Sequence, residues 1–122
     1  MELIGTWFNN QGYTLFIESS DNHTISGDFR FDTEKGQRRI PIEGVIAPNG
    51  KHTFSLLFSI HWSQYIASVD GYTHFCIQLT HESKGIAFDA HWIRHPDRPE
   101  RKRLKKGILH FSKFDFKELS LN

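Results

Sequence analysis

A chain of 122 residues with three Trp, three Tyr and eleven Phe but a single cysteine has apolar material for one core and cannot close an internal disulfide. Fifteen Lys and Arg against fourteen Asp and Glu leave a formal net charge of +1, too weak a field to argue for nucleic acid or a membrane surface. No stretch reaches transmembrane length, and the MELIGTW start lacks the basic and apolar blocks of a signal peptide. As written the chain reads as cytosolic, or as secreted if a leader has been removed.

From the N-terminus, short runs rich in Phe, Ile, Thr, Tyr and Trp alternate with clusters of Gly, Asn, Asp, Pro and Ser, the pattern of antiparallel strands joined by reversals. Eight runs are expected as strands: Leu3 to Asn9, Tyr13 to Ser19, Thr24 to Phe31, Arg38 to Ala47, Thr53 to Trp62, Ile66 to Leu79, Ile86 to Arg94, and Lys105 to Phe114. The first puts Trp7, Asn9 and, just beyond it, Gln11 on one face. That face is either the wall and floor of a cavity or a core Trp beside a solvated turn amide. The connections SSDNH, DTEKGQ, PNGKH and THESKG have the backbone freedom that reversals need. Hairpin-length links between successive strands make a meander, and about eight strands close around one small ligand while leaving no exposed edge. The expectation is an all-β, eight-stranded antiparallel up-and-down β-barrel over residues 1–114, followed by a C-terminal tail, residues 115–122.

The fifth run places Phe54, Leu56, Phe58, Ile60 and Trp62 on one face, and the seventh does the same for Phe88, Ala90, Trp92 and Arg94. Both aromatic faces end in tryptophan near a loop. Taken with GTWFNN-QGYT at the start, FSIHW followed by VDGYTHF, FDAHWIR and KKGILHFSKF, the chain resembles the avidin and streptavidin family over roughly Leu3 to Phe114. The resemblance implies the avidin-like barrel, a homodimer or homotetramer built on the outer faces of the later strands, and biotin as the default ligand; the residues themselves call for no cofactor and no metal.

Carried over residue by residue, that resemblance gives a mixed site. Asn9 stands where the family has an Asn donating to the ureido oxygen of biotin, and Trp62 and Trp92 stand where two tryptophans sandwich the bicyclic ring. Tyr13 replaces a small hydroxyl residue at the same oxygen, and Phe29 replaces the tyrosine that completes the trio. Phe31 and Leu109 fall where the ureido nitrogens find their acceptors. Ala67 and Val69, aligned through Asp70 and Gly71, replace a hydroxyl near sulfur and a third tryptophan. Arg94 replaces a leucine, and Arg101 lies near a tryptophan lent across the subunit interface. A buried urea facing Leu109 and Phe31 loses its acceptors, at about 1 to 3 kcal/mol for each orphaned group, so weak or altered specificity is expected, the ligand being biotin or a non-biotin aromatic or acidic compound.

The stretch HPDRPERKRLKK, residues 95–106, carries six basic side chains and follows the seventh strand, which sets it at the same rim as Gln11 and Tyr65. A basic rim over an aromatic cup suits a flat anion; the few interleaved aromatics argue against nucleic acid. The eight histidines show no dedicated metal spacing, and no nucleophile, carboxylate pair or phosphate loop points to an enzyme. A structural or protein-interaction barrel with a filled interior is the alternative, and an enzyme on the same barrel is a weaker one.

Overall fold

Strand alternation sorts the side chains of each run into an inward apolar set and an outward mixed set. The structure, a computed structural model, describes residues 3–48, 53–80, 87–98 and 104–113. Its strands are β1 (Gly5–Asn9), β2 (Thr14–Ser20), β3 (Thr24–Thr33), β4 (Gly36–Pro48), β5 (Thr53–His61), β6 (Tyr72–Thr80), β7 (Ala87–His95) and β8 (Lys105–Ser112). Each pairs antiparallel with the next, and β8 returns to β1 to close the barrel. The expected tail, residues 115–122, lies outside the described residues.

The interior follows the parity of the sequence. On β5 the buried side chains are Phe54, Leu56, Phe58 and Ile60, and on β7 they include Phe88 and Ala90. Trp7 is fully buried, its ring 4.6 Å from that of Phe88, and its indole N–H donates to the Leu3 carbonyl at 2.9 Å. Of the two meanings open for Trp7, the structure has the core residue. Burying an aromatic side chain of this size stabilises the fold by about 1.5 to 3 kcal/mol.

Closure is the thinnest part of the sheet. Among the described residues β1 and β8 share two register pairs, Phe8 with Ser112 and Asn9 with Phe111, whereas β3 and β4 share ten. The Asn9 amide adds a bond across this seam, donating from Nδ2 to the His110 carbonyl at 2.8 Å. Its Oδ1 accepts the Gln11 backbone N–H at 2.7 Å, so one side chain fixes both the seam and the β1–β2 turn.

Strand boundaries near the later loop differ from expectation. The run expected from Ile66 becomes strand only at Tyr72, and β5 ends at His61, one residue before Trp62. Trp62–Gln64 turns into a 3₁₀ helix, and Ile66 N–H bonds back to the Trp62 carbonyl at 2.8 Å. Gly71 explains why the strand starts late: its φ of +97° and the His95 carbonyl lying against the position of a Cβ both require glycine. Between β3 and β4 the reversal is tighter than the DTEKGQ stretch suggested, with Thr33 already paired to Gly36.

Candidate functional site

In an up-and-down barrel the loops after β1, β3, β5 and β7 gather at one end, and there the core opens into a cup. Its floor is Phe29. That buried ring has Tyr13, Phe75, Phe31 and Trp62 around it at centroid distances of 5.5, 5.7, 6.4 and 6.4 Å. Above it lies a cavity of about 200 Å³ walled by Trp62, Trp92 and Leu109 and edged by Gln11, Tyr13, Thr73 and Arg94.

Each tryptophan is held by a different device. Trp62 sits on the 3₁₀ turn, and its indole N–H donates to the hydroxyl of the buried Thr73 at 2.7 Å. Trp92 is opposite Gly107 in register, and a Cβ at Gly107 would lie 2.5 Å from Trp92 Cζ2. Glycine on β8 therefore leaves the space that the indole occupies.

Among the described residues Arg94 is the charged member of the cup. It faces Thr73 across β6 and β7, donates from Nη2 to the Asp70 carbonyl at 2.8 Å, and brings its guanidinium carbon to 6.0 Å from the Trp62 ring centroid. It also lines a wider cleft outside the cup, of about 910 Å³, with Asp70, His95 and Lys105. One cation thus stands between the cup and the outer cleft. Of the basic stretch, residues 99–103 lie outside the described residues, while Leu104, Lys105 and Lys106 are exposed.

Of the residues singled out from the sequence, the cavity brings together Gln11, Tyr13, Phe29, Trp62, Trp92, Arg94 and Leu109. Asn9 is buried at the seam, away from this lining. Phe31 packs edge-on to Trp62 at 6.0 Å, beside the wall. Tyr65 and Ala67 lie exposed on the loop after the 3₁₀ turn. Thr73 and Phe75 line the cavity without having been singled out; the same parity that sends Tyr72, His74 and Cys76 outward places them inside.

At the rim, Ser63 Oγ and Asp97 Oδ1 approach His61 at 3.0 and 2.7 Å. Both reach the same nitrogen, Nε2, whereas a nucleophile–base–orienter relay uses opposite ring nitrogens, so this trio fastens loops together. Hydrogen bonding with Asp70, and then with His61, holds the Asp97 carboxyl below the usual carboxylate range.

A closed meander with an aromatic cup at one mouth defines a small-ligand-binding class of barrel. The chain belongs to the Avidin family, whose sequence profile matches residues 1–110. Proteins of that family bind small ligands, biotin above all. Its fold is similar to that in the crystal structure of xenavidin, with a TM-score of 0.66 and 24% sequence identity over 93% of this chain and 97% of that one. Among curated proteins, none matches the chain.

Proposed function

We propose that this protein binds a small, flat, anionic ligand in the cup, between Trp62 and Trp92, with biotin held weakly or not at all. The observation that carries this reading is the chemistry of the cup. Among the described residues its lining contains one cation, Arg94, and no carboxylate. A guanidinium has five N–H donors and no acceptor, and the Asp70 carbonyl engages Nη2. An anion therefore gains a charge-assisted partner above an aromatic floor, while the resemblance sets Leu109 and Phe31, neither of which has a side-chain acceptor, where the two N–H groups of a urea need one. The volume agrees with a compact ligand, since about 200 Å³ is below the roughly 300 to 1,000 Å³ of pockets for drug-sized molecules.

Titration with a series of aromatic carboxylates, followed by tryptophan fluorescence, tests the reading. Binding should quench Trp62 or Trp92, and Arg94→Ala should weaken it by about 2 to 5 kcal/mol, the usual cost of truncating one partner of a desolvated charge pair. Lys102→Ala, in the basic stretch, should cost under about 1 kcal/mol. Nanomolar biotin binding by calorimetry would overturn the altered specificity. A second reading, a filled scaffold, is favoured by the four rings packed around Phe29. It takes precedence if Arg94→Ala lowers thermal stability and leaves the affinity for every tested anion unchanged.

A further inference from the structure

The outer wall of β5, β6 and β7 carries a second cluster that the cup does not use. His74 on β6 and His95 at the end of β7 meet there with their Nε2 atoms 2.9 Å apart. Their rings lie within 23° of parallel with centroids 5.0 Å apart, so the two nitrogens face each other head to head. Tyr72 lies nearly parallel to both, 5.2 Å from His95 and 6.0 Å from His74, and His61 stacks on its ring at 4.0 Å.

The hydrogen positions follow from the partners. His95 Nδ1 is 2.9 Å from the Pro96 carbonyl, which only accepts, so Nδ1 bears the hydrogen and the neutral ring leaves a lone pair on Nε2. His74 Nε2 must then be the donor of the bond between the rings. Its Nδ1 is left to accept from the Ser59 hydroxyl at 2.6 Å.

We propose that His74 and His95 form a two-imidazole site for a divalent transition-metal ion on the outer wall of the barrel. With nitrogens about 2.05 Å from a metal, two neighbouring ligands are about 2.9 Å apart at a right angle and about 3.3 Å apart in a tetrahedron. The observed 2.9 Å is a hydrogen bond, with the His74 N–H in line with the His95 lone pair; a swing of the exposed His74 ring out of that line leaves the His95 lone pair free and lets His74 Nε2 approach the same ion from the side, at the spacings above. On binding, the His74 hydrogen moves from Nε2 to Nδ1, where Ser59 Oγ changes from donor to acceptor, and no proton is lost overall. Each ring then has the outer hydrogen-bond acceptor that a metal-bound imidazole requires, Ser59 for one and the Pro96 carbonyl for the other. Among the described residues no group of three His, Cys, Asp or Glu assembles, so water completes the coordination and the ion exchanges readily. An all-imidazole donor pair selects Cu²⁺, Ni²⁺ and Zn²⁺ over Mg²⁺ and Ca²⁺.

The test is a Zn²⁺ titration of the isotope-labelled full chain, read by long-range ¹H–¹⁵N correlations of the imidazoles, with calorimetry for Zn²⁺, Ni²⁺ and Cu²⁺. Without metal, His74 should be the Nε2–H tautomer and His95 the Nδ1–H tautomer; at saturation both should be Nδ1–H. Cu²⁺ should bind most tightly. His74→Gln or His95→Gln should remove the one-equivalent binding event, His91→Gln should leave it, and Ser59→Ala should weaken it about tenfold. The proposal is overturned if His74 keeps its tautomer at saturating Zn²⁺. It is equally overturned if the His74→Gln, His95→Gln double variant binds as the unmodified protein does, or if Mg²⁺ moves the same resonances.

Discussion

The Asn9 amide donates to the His110 backbone carbonyl at 2.8 Å across a separation of 101 residues, joining the first strand to the last where the barrel has only two register pairs among the described residues. Asn9→Ala removes that donor and also the acceptor of the Gln11 N–H. Each of these part-buried hydrogen bonds is worth about 0.5 to 1.5 kcal/mol, so a drop of that order is expected in urea unfolding, and amide exchange should rise first in β1 and β8. If Asn9→Ala changes ligand affinity while leaving stability untouched, Asn9 acts as a ligand contact.

Gly107 gives a sharper handle on the cup. Alanine there puts a Cβ 2.5 Å from Trp92 Cζ2 and 2.7 Å from Cε2, a distance that van der Waals contact forbids, so the indole must leave its place. Overpacking of this kind costs about 1 to 3 kcal/mol. Gly107→Ala should alter the near-ultraviolet circular dichroism of Trp92 and weaken ligand quenching, while far-ultraviolet spectra keep the barrel signature. An unchanged aromatic spectrum would mean that Trp92 does not lie against Gly107.

Most of the barrel was legible because strand parity is a local property. Phe54 to Ile60 and Phe88 to Ala90 alternate strictly, and their burial follows. Trp62 kept the inward direction although it lies past the end of β5, because the 3₁₀ turn and its bond to Thr73 fold it back over the cup. Gly71 was visible as a residue, but its positive φ and its contact with His95 depend on a strand more than twenty residues away. The same applies to Asn9 with His110 and to His74 with His95. Both pairs are set by inter-strand register, which the hydrophobic pattern and the turns of several strands fix together, so neither pair shows in the spacing of any one run.

Acid stability should have a contribution from the opposite end of the barrel. At the β2–β3 turn, Asp21 accepts the backbone N–H groups of His23 and Thr24 at 2.7 Å each, and the Thr24 hydroxyl donates to it at 3.2 Å. The two backbone bonds, His23 first, hold its carboxyl below the ordinary carboxylate value. A depressed folded value stabilises the fold above the unfolded value of about 3.9 and loses that contribution as pH falls through the folded value. Asp21→Asn should therefore be less stable than the unmodified protein by a constant margin above about pH 5, and the margin should shrink below about pH 4. A margin independent of pH down to acid unfolding would show that the charge of Asp21 does not matter to the turn.

Assembly is the last expectation. Val45, Leu57, Cys76, His91 and Ile108 are successive register partners across β4, β5, β6, β7 and β8, so they form one continuous row on the outside of the barrel. Val45, Leu57 and Ile108 are 56%, 42% and 58% exposed, and Ile93 beside them is 51% exposed. Apolar side chains clustered along a β-face, here interrupted by His91, mark an interaction surface more than scattered ones do. A second copy related by a two-fold axis presents the same row to itself, which makes a homodimer the expected partner. Light scattering at micromolar concentration should give twice the chain mass. Leu57→Lys, near the centre of the row and already in contact with solvent, should convert the dimer to a monomer without lowering the thermal stability of the barrel by more than about 0.5 kcal/mol, the usual scale of surface substitutions. A monomeric unmodified protein at that concentration would show that this row does not pair with itself.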